Sequence, residues 1–591
     1  MGKTYAEKIL GAEAGAIVFK KPDIVLSHDN TASINATFSK MGGDKVCDPD
    51  QILIVLDHNA PPTNSKLAND YQKTRDIVDK QGIKKFHDVG KGICHQIVSY
   101  YAKPDMIIVG SDSHTCTAGA FNAFAAGIDR TETAGLWKQG ETWFRVPESI
   151  KITLNGKLQD GVYAKDLALW ITGMLSSSGA DYMSIEFHGE GVKTLSIADR
   201  MTIANLSSEM GAKNAVFPSD EVLFEFLKEK PKGTWADKDA TYAKEITINL
   251  SDIFPVVSAP HNVDNVKSVS EVQGLKIQQA LIGTCTNGRL EDLRIAAKIL
   301  KGRNVAKNVQ LLIIPASQII YLEAMEEGLI KEFIDAGANI LTPSCGPCLG
   351  TGQGIPADGY NVISTANRNF LGRMGNEKAN IYLASPATVA WSAIKGCISD
   401  PRDVNAKDKF PFDIPQSNTV FIKQGEDRYN SGTWNYADVD NLNTDQMFAG
   451  NLTYNVNSSE AEKIMPHLFK GFDDSFAERV KSGDILVAGV NFGCGSSREH
   501  PSVGLAFAGI KAVICKSVNR IFYRSSVNQG LPILVVPEAV DAYKQGDKVD
   551  IDFAKGEINI NGKIFKFSPL PSKLMAIFEA KGLVNYVKNV K

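Results

Sequence analysis

Residues 52–81 read ILIVLDHNAPPTNSKLANDYQKTRDIVDKQ. The apolar run Ile52–Leu56 predicts a strand, the Pro-bearing polar stretch after it a loop, and Ser65–Gln81 a helix. The alternation continues in both directions along the chain. Met106–Val109 and Ala280–Ile282 read as strands, Leu290–Lys301 as a helix and Gln310–Ile314 as a strand. Strands alternating with helices predict an α/β fold with mostly parallel sheets. No internal repeat or low-complexity tract interrupts the pattern.

The clearest boundary lies near residues 398–424. Ile398–Ile414, ISDPRDVNAKDKFPFDI, is rich in Pro, Asp and Lys and has no periodicity, so it predicts a linker. Beyond it Asp484–Val487, Ala512–Cys515 and Ile533–Val536 read as strands, and Arg498–Ala508 and Ile521–Asn528 as helices. The expected organisation is a large part over 1–400 with sub-domain boundaries near 130 and 275, a linker at 401–424, and a smaller α/β domain over 425–591. A length of 591 residues fits roughly four domains of ordinary size.

Composition narrows the function. The formal net charge is −3, which argues against a partner held by bulk positive charge, whether nucleic acid or anionic membrane. With 43% hydrophobic and 22% charged residues the chain is globular in character rather than disordered. Met1–Phe19 lacks the features of a signal peptide, and the longest apolar candidate, Ala118–Ile128, carries Asn122 and falls short of a membrane span. The nine cysteines are odd in number and sparse, so a disulfide framework is not expected. The expected compartment is reducing and cytoplasmic.

Four constellations carry chemistry. The first is GTCTNG (283–288) with SCGPCLG (344–350). A CxxC alone suits a redox pair, half of a zinc site, or unligated buried thiols. Three thiolates, Cys285, Cys345 and Cys348, suit a [4Fe–4S] cluster with one iron left without a protein ligand. On spacing alone cluster, zinc and unligated thiols all remain open. The second comprises Asp57-His58, Cys94-His95-Gln96 and Asp112-Ser113-His114-Thr115, where a carboxylate beside a histidine fixes its tautomer and raises its basicity. Any one of these alone reads more often as a structural histidine, and it is three of them at strand ends within the first 115 residues that point to an active site. The third is NRNFLGR (367–373), whose two arginines suit bidentate carboxylate binding or, more plainly, a solvated surface. The fourth is GCGSSREH (493–500), a Gly-rich turn entering a helix, where backbone N–H groups and Arg498 favour an anion and would lower the pKa of Ser496. The plain alternative is a serine N-cap.

Together with SHDNTA (27–32), LDHN (56–59), GICHQ (92–96) and GSDSHTCT (110–117), these motifs resemble the aconitase superfamily, most closely its isopropylmalate and homoaconitate branch. They run in family order from residue 27 to 500, with large and small parts fused. The resemblance implies a three-part cluster-binding α/β domain linked to a smaller C-terminal α/β swivel domain. It implies one [4Fe–4S] cluster per chain on Cys285, Cys345 and Cys348, and reversible dehydration of a hydroxy di- or tricarboxylic acid. Ser496 would be the base that takes the carbon-bound proton. His114, paired with Asp112, and the Asp57–His58 dyad would handle the proton of the leaving hydroxyl. His95 and Glu186, in SIEFHGEG (184–191), would order water and hydroxyl at the iron. Arg498, also a substrate-binding residue, would stabilise the Ser496 alkoxide together with the helix start, and Arg368 and Arg373 would hold carboxylates, supported by Ser113, Ser497 and Asn367. In the family the loop after a Thr-Asp dipeptide reads the substrate's variable arm, with a YLR-like sequence in isopropylmalate enzymes and an Arg in aconitases. Here NTDQMFAGNLTYNV (443–456) carries no cation, and Leu452 and Tyr454 stand at the reading positions, which favours an apolar arm such as that of isopropylmalate or a methyl-substituted malate. Aconitate hydratase and homoaconitase are alternatives, as are a cluster-free metalloenzyme and a cluster-free RNA-binding regulator. The expected partner is a small hydroxy-carboxylic acid, with no nucleic acid or membrane, on a monomer or small homo-oligomer.

Overall fold

The computed structural model describes residues 2–404, 406–412, 427–449, 452, 456–495, 498–568 and 572–589. Ser496, Ser497 and Tyr454 lie outside the described residues, as does much of the expected linker.

The strand read at 52–56 forms as Ile52–Val55 and the helix as Ser65–Gln81. Asn64 opens that helix by accepting the Leu67 N–H at 3.0 Å, and Gly82 closes it in the left-handed conformation. The strand belongs to a five-stranded parallel sheet ordered Lys85–His87, Ile52–Val55, Ile24–Ser27, Ile107–Gly110, Phe124–Gly127. The chain first builds to one side of Ile24–Ser27 and then crosses to the other. The carboxyl ends of the strands on either side of that reversal form a crevice, the usual ligand position in such sheets. Three of the histidine motifs follow these ends: His28-Asp29-Asn30 after Ser27, Asp57-His58 after Val55, and Asp112-Ser113-His114 after Gly110.

A second parallel sheet orders Asn214–Val216, Ser184–His188, Ser149–Asn155 and Lys244–Asn249. A third, of seven strands, has a parallel centre of Asn380–Leu383, Asn361–Ser364, Gln279–Ile282 and Gln310–Ile313, continued by the short Asn339–Ile340. It begins at Val256, earlier than the expected 275, because Val256–Ser258 and Val266–Ser268 add an antiparallel edge too short to show a period in sequence. From its carboxyl ends emerge Cys285 after Ile282, Asn367-Arg368 after Ser364, and the Cys345–Cys348 turn after Ile340.

The C-terminal domain has its own sheet, with Thr433–Tyr436, Ile485–Ala488, Ala512–Cys515 and Ile533–Val535 in parallel register, and a three-stranded antiparallel sheet after it. Its last two helices leave it. Leu574, Ile577, Leu583 and Val587 join Phe38, Trp137 and Trp143 in the core of the N-terminal sub-domain. The helix Arg520–Asn528 is buried between the domains. No helix among the described residues is long and apolar enough to cross a membrane.

Candidate active site

A cavity of about 240 Å³ is lined by His58, His95, Asp112, His114, Cys285, Cys345, Cys348, Asn367, Arg368, Arg373 and, from the C-terminal domain, Asp445, Ala449 and Arg498. Strand ends from two sheets of the large part converge there, which brings together motifs more than 400 residues apart in sequence.

The carboxylate–imidazole network is continuous. His58 Nδ1 lies 2.7 Å from Asp57 Oδ1, and His58 Nε2 lies 3.4 Å from Asp112 Oδ2. Asp112 Oδ1 accepts the His114 backbone N–H at 2.8 Å and stands 2.7 Å from His95 Nε2. Its close ring partner is therefore His95. The His114 ring pairs instead with Glu209, Nε2 to Oε1 at 2.6 Å, while its Nδ1 is 3.5 Å from Asp112. Burial pushes the Asp112 carboxyl up, but the His95 charge and hydrogen bonds from three histidines outweigh it and hold Asp112 well below the usual range. Burial acts on Glu209 in the same way and is outweighed first by Arg368 and then by His114, which bring its pKa down to about 2. His28, stacked on His58 with ring centroids 3.9 Å apart, is kept neutral chiefly by burial, its pKa lowered to about 3.

Asp29, which the motif reading left without a role, fixes the loop carrying Asp57 and His58. Its carboxylate accepts the backbone N–H groups of Asp57 at 3.0 Å, His58 at 3.1 Å and Asn59 at 2.8 Å, and the Tyr71 hydroxyl. Asp57 in turn accepts the Cys94 N–H at 2.6 Å.

Glu186 corrects the sequence reading. It is fully buried in the second sheet, where it accepts the Tyr5 N–H at 2.8 Å and the Tyr242 hydroxyl at 3.0 Å, and it does not line the cavity. The carboxylate beside His114 is Glu209, in the turn after the helix Ile197–Leu206. SSEM (207–210) has no motif character, so only the fold reveals it.

Arg368 Nε donates to both Glu209 oxygens, at 2.9 and 3.0 Å, and its Nη2 donates to Ser113 Oγ at 3.0 Å. Arg498 binds Asp445 at 2.5 Å and the Phe448 carbonyl at 3.1 Å. Leu452 departs from expectation. Its N–H turns back to the Ala449 carbonyl at 3.1 Å and its side chain packs on the core of the C-terminal domain, whereas Asp445 and Ala449 are the described residues of that loop that line the cavity. Arg130, at the start of the helix Arg130–Gln139, also lines the cavity and was absent from the sequence reading. Lys165 was missed as well. Fully buried, it donates to the Thr365 and Ala366 carbonyls at 2.8 and 2.7 Å, directly before Asn367-Arg368.

The cysteines fit an iron–sulfur cluster. All three are free thiols that line the cavity, and the backbone is shaped to present them. Gly283 has φ +146° and a Cβ there would lie 2.5 Å from the Ile314 carbonyl oxygen. Thr284 takes φ +69°, and Gly346, inside the CxxC turn, has φ +54°. The Cys285 sulfur accepts amide N–H groups from Asn205 at 3.3 Å and Asn367 at 3.2 Å, and Arg373 Nη2 is 4.0 Å from the Cys348 sulfur. Burial, followed by the neighbouring thiols, pushes Cys285 up. Burial pushes Cys345 up to about 11, against the opposing charge of His58. Such sulfurs become thiolates together only with a cation among them, and donors already aimed at them suit anionic sulfur.

The aconitase family (aconitate hydratase) model matches residues 3–396, and the aconitase C-terminal domain matches 419–539. The chain belongs to the aconitase family. The 3-isopropylmalate dehydratase large subunit 1 of Methanopyrus kandleri is 45% identical over 415 residues, 68% of this chain and 99% of that protein. The methanogen homoaconitase large subunit of Methanocaldococcus jannaschii is 44% identical over 420 residues, 68% of this chain and all of that protein. A crystal structure of 3-isopropylmalate dehydratase from Methanocaldococcus jannaschii shares 40% identity, covering 25% of this chain and 87% of that one at a TM-score of 0.24. This aconitase-family chain is an iron–sulfur hydro-lyase, and the family implies a [4Fe–4S] cluster for it.

Proposed function

We propose that the chain reversibly dehydrates a malate-type hydroxy acid, with 3-isopropylmalate or a related alkyl-malate as substrate. The convergence of Cys285, Cys345 and Cys348 with the Asp57–His58–Asp112–His95 network and the arginines on one cavity carries this reading. Cys285, Cys345 and Cys348 would hold the cluster, which when bound supplies an open iron as a Lewis acid toward hydroxyl and carboxylate oxygens. Arg368 and Arg373 orient the substrate carboxylates, and Arg368 is itself aimed by Glu209 and Ser113. The proton of the departing hydroxyl is managed by His58 and His95, both joined to Asp112, and by His114. Ser496 is the proposed base at carbon, with Arg498 beside it in sequence to stabilise its alkoxide; Ser497 supports a carboxylate. Ile93, Leu349, Leu371 and Ala449 give the cavity apolar wall for a branched alkyl arm.

One observation favours a second reading, a hydroxy-tricarboxylic acid as for a homoaconitase: Arg130, a basic residue from outside the arm-reading loop, lines the same cavity. A turnover panel of 3-isopropylmalate, 2,3-dimethylmalate, citrate and homocitrate on anaerobically reconstituted protein separates the two. Alkyl-malates are expected to lead in kcat/KM by at least about a hundredfold, since an unpaired buried carboxylate costs several kcal/mol. Citrate or homocitrate as best substrate, with that preference lost in Arg130→Met, establishes the second reading instead.

A further inference from the structure

The helix Arg520–Asn528 crosses from the C-terminal domain into the large part, and its arginines do different work. Arg524 is paired with Glu132, lies 3.8 Å over the Trp143 ring and donates to the Trp143 carbonyl at 2.8 Å. Asn528 donates to Asp129 at 2.5 Å. These contacts dock the domain. Arg520, 1% exposed, reaches the back of the active site. Its Nη2 donates to the Ser113 carbonyl at 3.0 Å and to Ser208 Oγ at 3.2 Å, and Ser208 Oγ donates to the same Ser113 carbonyl at 3.0 Å. The next residue after each serine is a member of the 2.6 Å His114–Glu209 pair. Ser113 also presents its hydroxyl to Arg368.

A guanidinium with no carboxylate in direct contact among the described residues is a costly group to bury, and a hydrophobic side chain would pack the same interface more cheaply. What the guanidinium adds is direction: one planar donor ties two loops of the large part together immediately upstream of the two residues whose alignment matters. We propose that Arg520 is a positioning residue through which the docked C-terminal domain aligns the His114–Glu209 pair, so that this domain shapes the proton-handling side of the site as well as supplying the Ser496 loop. The kinetic consequence rests on the hydro-lyase reading; the geometric one does not.

The test uses full-length, cluster-loaded protein carrying Arg520→Met, Ser208→Ala or both. Arg520→Met is expected to lower kcat by between about tenfold and a hundredfold, the cost of a sub-ångström to ångström misplacement, with KM within about threefold and iron content unchanged. Ser208→Ala is expected to lower kcat by a smaller factor, and the double variant to be no worse than Arg520→Met, because both changes cut the same node. Arg520→Lys, which keeps the charge and one donor direction, is expected to recover part of the loss, and it stands in for Arg520→Met in the cycle if that protein melts early. An activity-independent reading comes from ¹⁵N-histidine spectra. The hydrogen-bonded Nε2–H signal of His114, assigned by its absence in His114→Gln, is expected to shift or broaden in Arg520→Met. Unchanged kcat and an unchanged His114 signal, or strictly additive losses in the cycle, overturn the proposal. Wild-type protein inactive on every hydroxy acid, with the His114 signal still moved by Arg520→Met, overturns the hydro-lyase reading and leaves the positioning role standing.

Discussion

Glu209 and Glu186 show how differently one side chain type is used in this molecule. Glu209 takes His114 on one oxygen and the Arg368 guanidinium on both, two residues that line the cavity. Glu186 takes Tyr5 and Tyr242 inside a sheet. Glu209→Gln is therefore expected to cut kcat by about two orders of magnitude, a loss of preorganised charge, while Glu186→Gln leaves kcat within about twofold and costs stability of about 1–3 kcal/mol. Steady-state kinetics and urea denaturation on the two variants decide it, and equal kinetic losses would return Glu186 to the site. The acid response of Glu209 follows from its depressed pKa of about 2. Its stabilisation is complete above the unfolded value near 4.3 and is lost as pH falls from there through about 2.

At the scale of an element, the helix Ala164–Leu175 is more than packing. Its second residue, Lys165, places an amine under the loop that carries Asn367 and Arg368, and burial lowers its pKa to about 7. Between about 7 and the unfolded value near 10.4 the unfolded chain binds more protons at this position than the folded one. This group thus makes stability rise with pH across that window and contributes no slope below it. Lys165→Met is expected to flatten the rise in urea midpoint between about pH 7.5 and 9.5, and to weaken substrate binding because the Asn367-Arg368 loop loses its two tied carbonyls. An unaltered slope shows that the folded amine stays charged. The strands and helices themselves were readable because apolar runs bounded by Gly, Pro and Asp keep their period under almost any packing. The short antiparallel edge Val256–Ser258 and Val266–Ser268 was not, since three residues carry no period.

Across the whole molecule, the two domains are joined by buried charge as well as by apolar surface. Arg524 and Glu132 are both fully buried, and removing one leaves the other uncompensated. Arg524→Ala is expected to cost about 3–5 kcal/mol, whereas Arg524→Met with Glu132→Leu is expected to cost less than the sum of the single changes. Thermal melts of Arg524→Ala, Arg524→Met, Glu132→Leu and the double variant measure this, and additive losses in the Met and Leu cycle would mean that the two side chains act independently. Because the C-terminal helices share a core with the N-terminal sub-domain, the single variant is also expected to lower activity by loosening the domain that carries Arg498.

The α/β class, the order of parts and the family can be read from the residues alone, because strand periodicity and loop motifs such as GTCTNG and SCGPCLG are local and survive without coordinates. The sequence also named most of the groups that meet at the cavity, among them the three cysteines, His58, His95, Asp112, His114, Arg368 and Arg373, and Asp57 behind His58. Tertiary structure alone decided the partners. That His114 pairs with Glu209 and not Glu186, that Ala449 and not Leu452 faces the cavity, and that Arg130, Lys165 and Arg520 attend the site all depend on which strand ends and helix starts are brought side by side. The physical reason is that a buried charge is tolerated only where another part of the chain satisfies it, and a pairing between residues tens to hundreds of positions apart leaves no trace in the spacing of either.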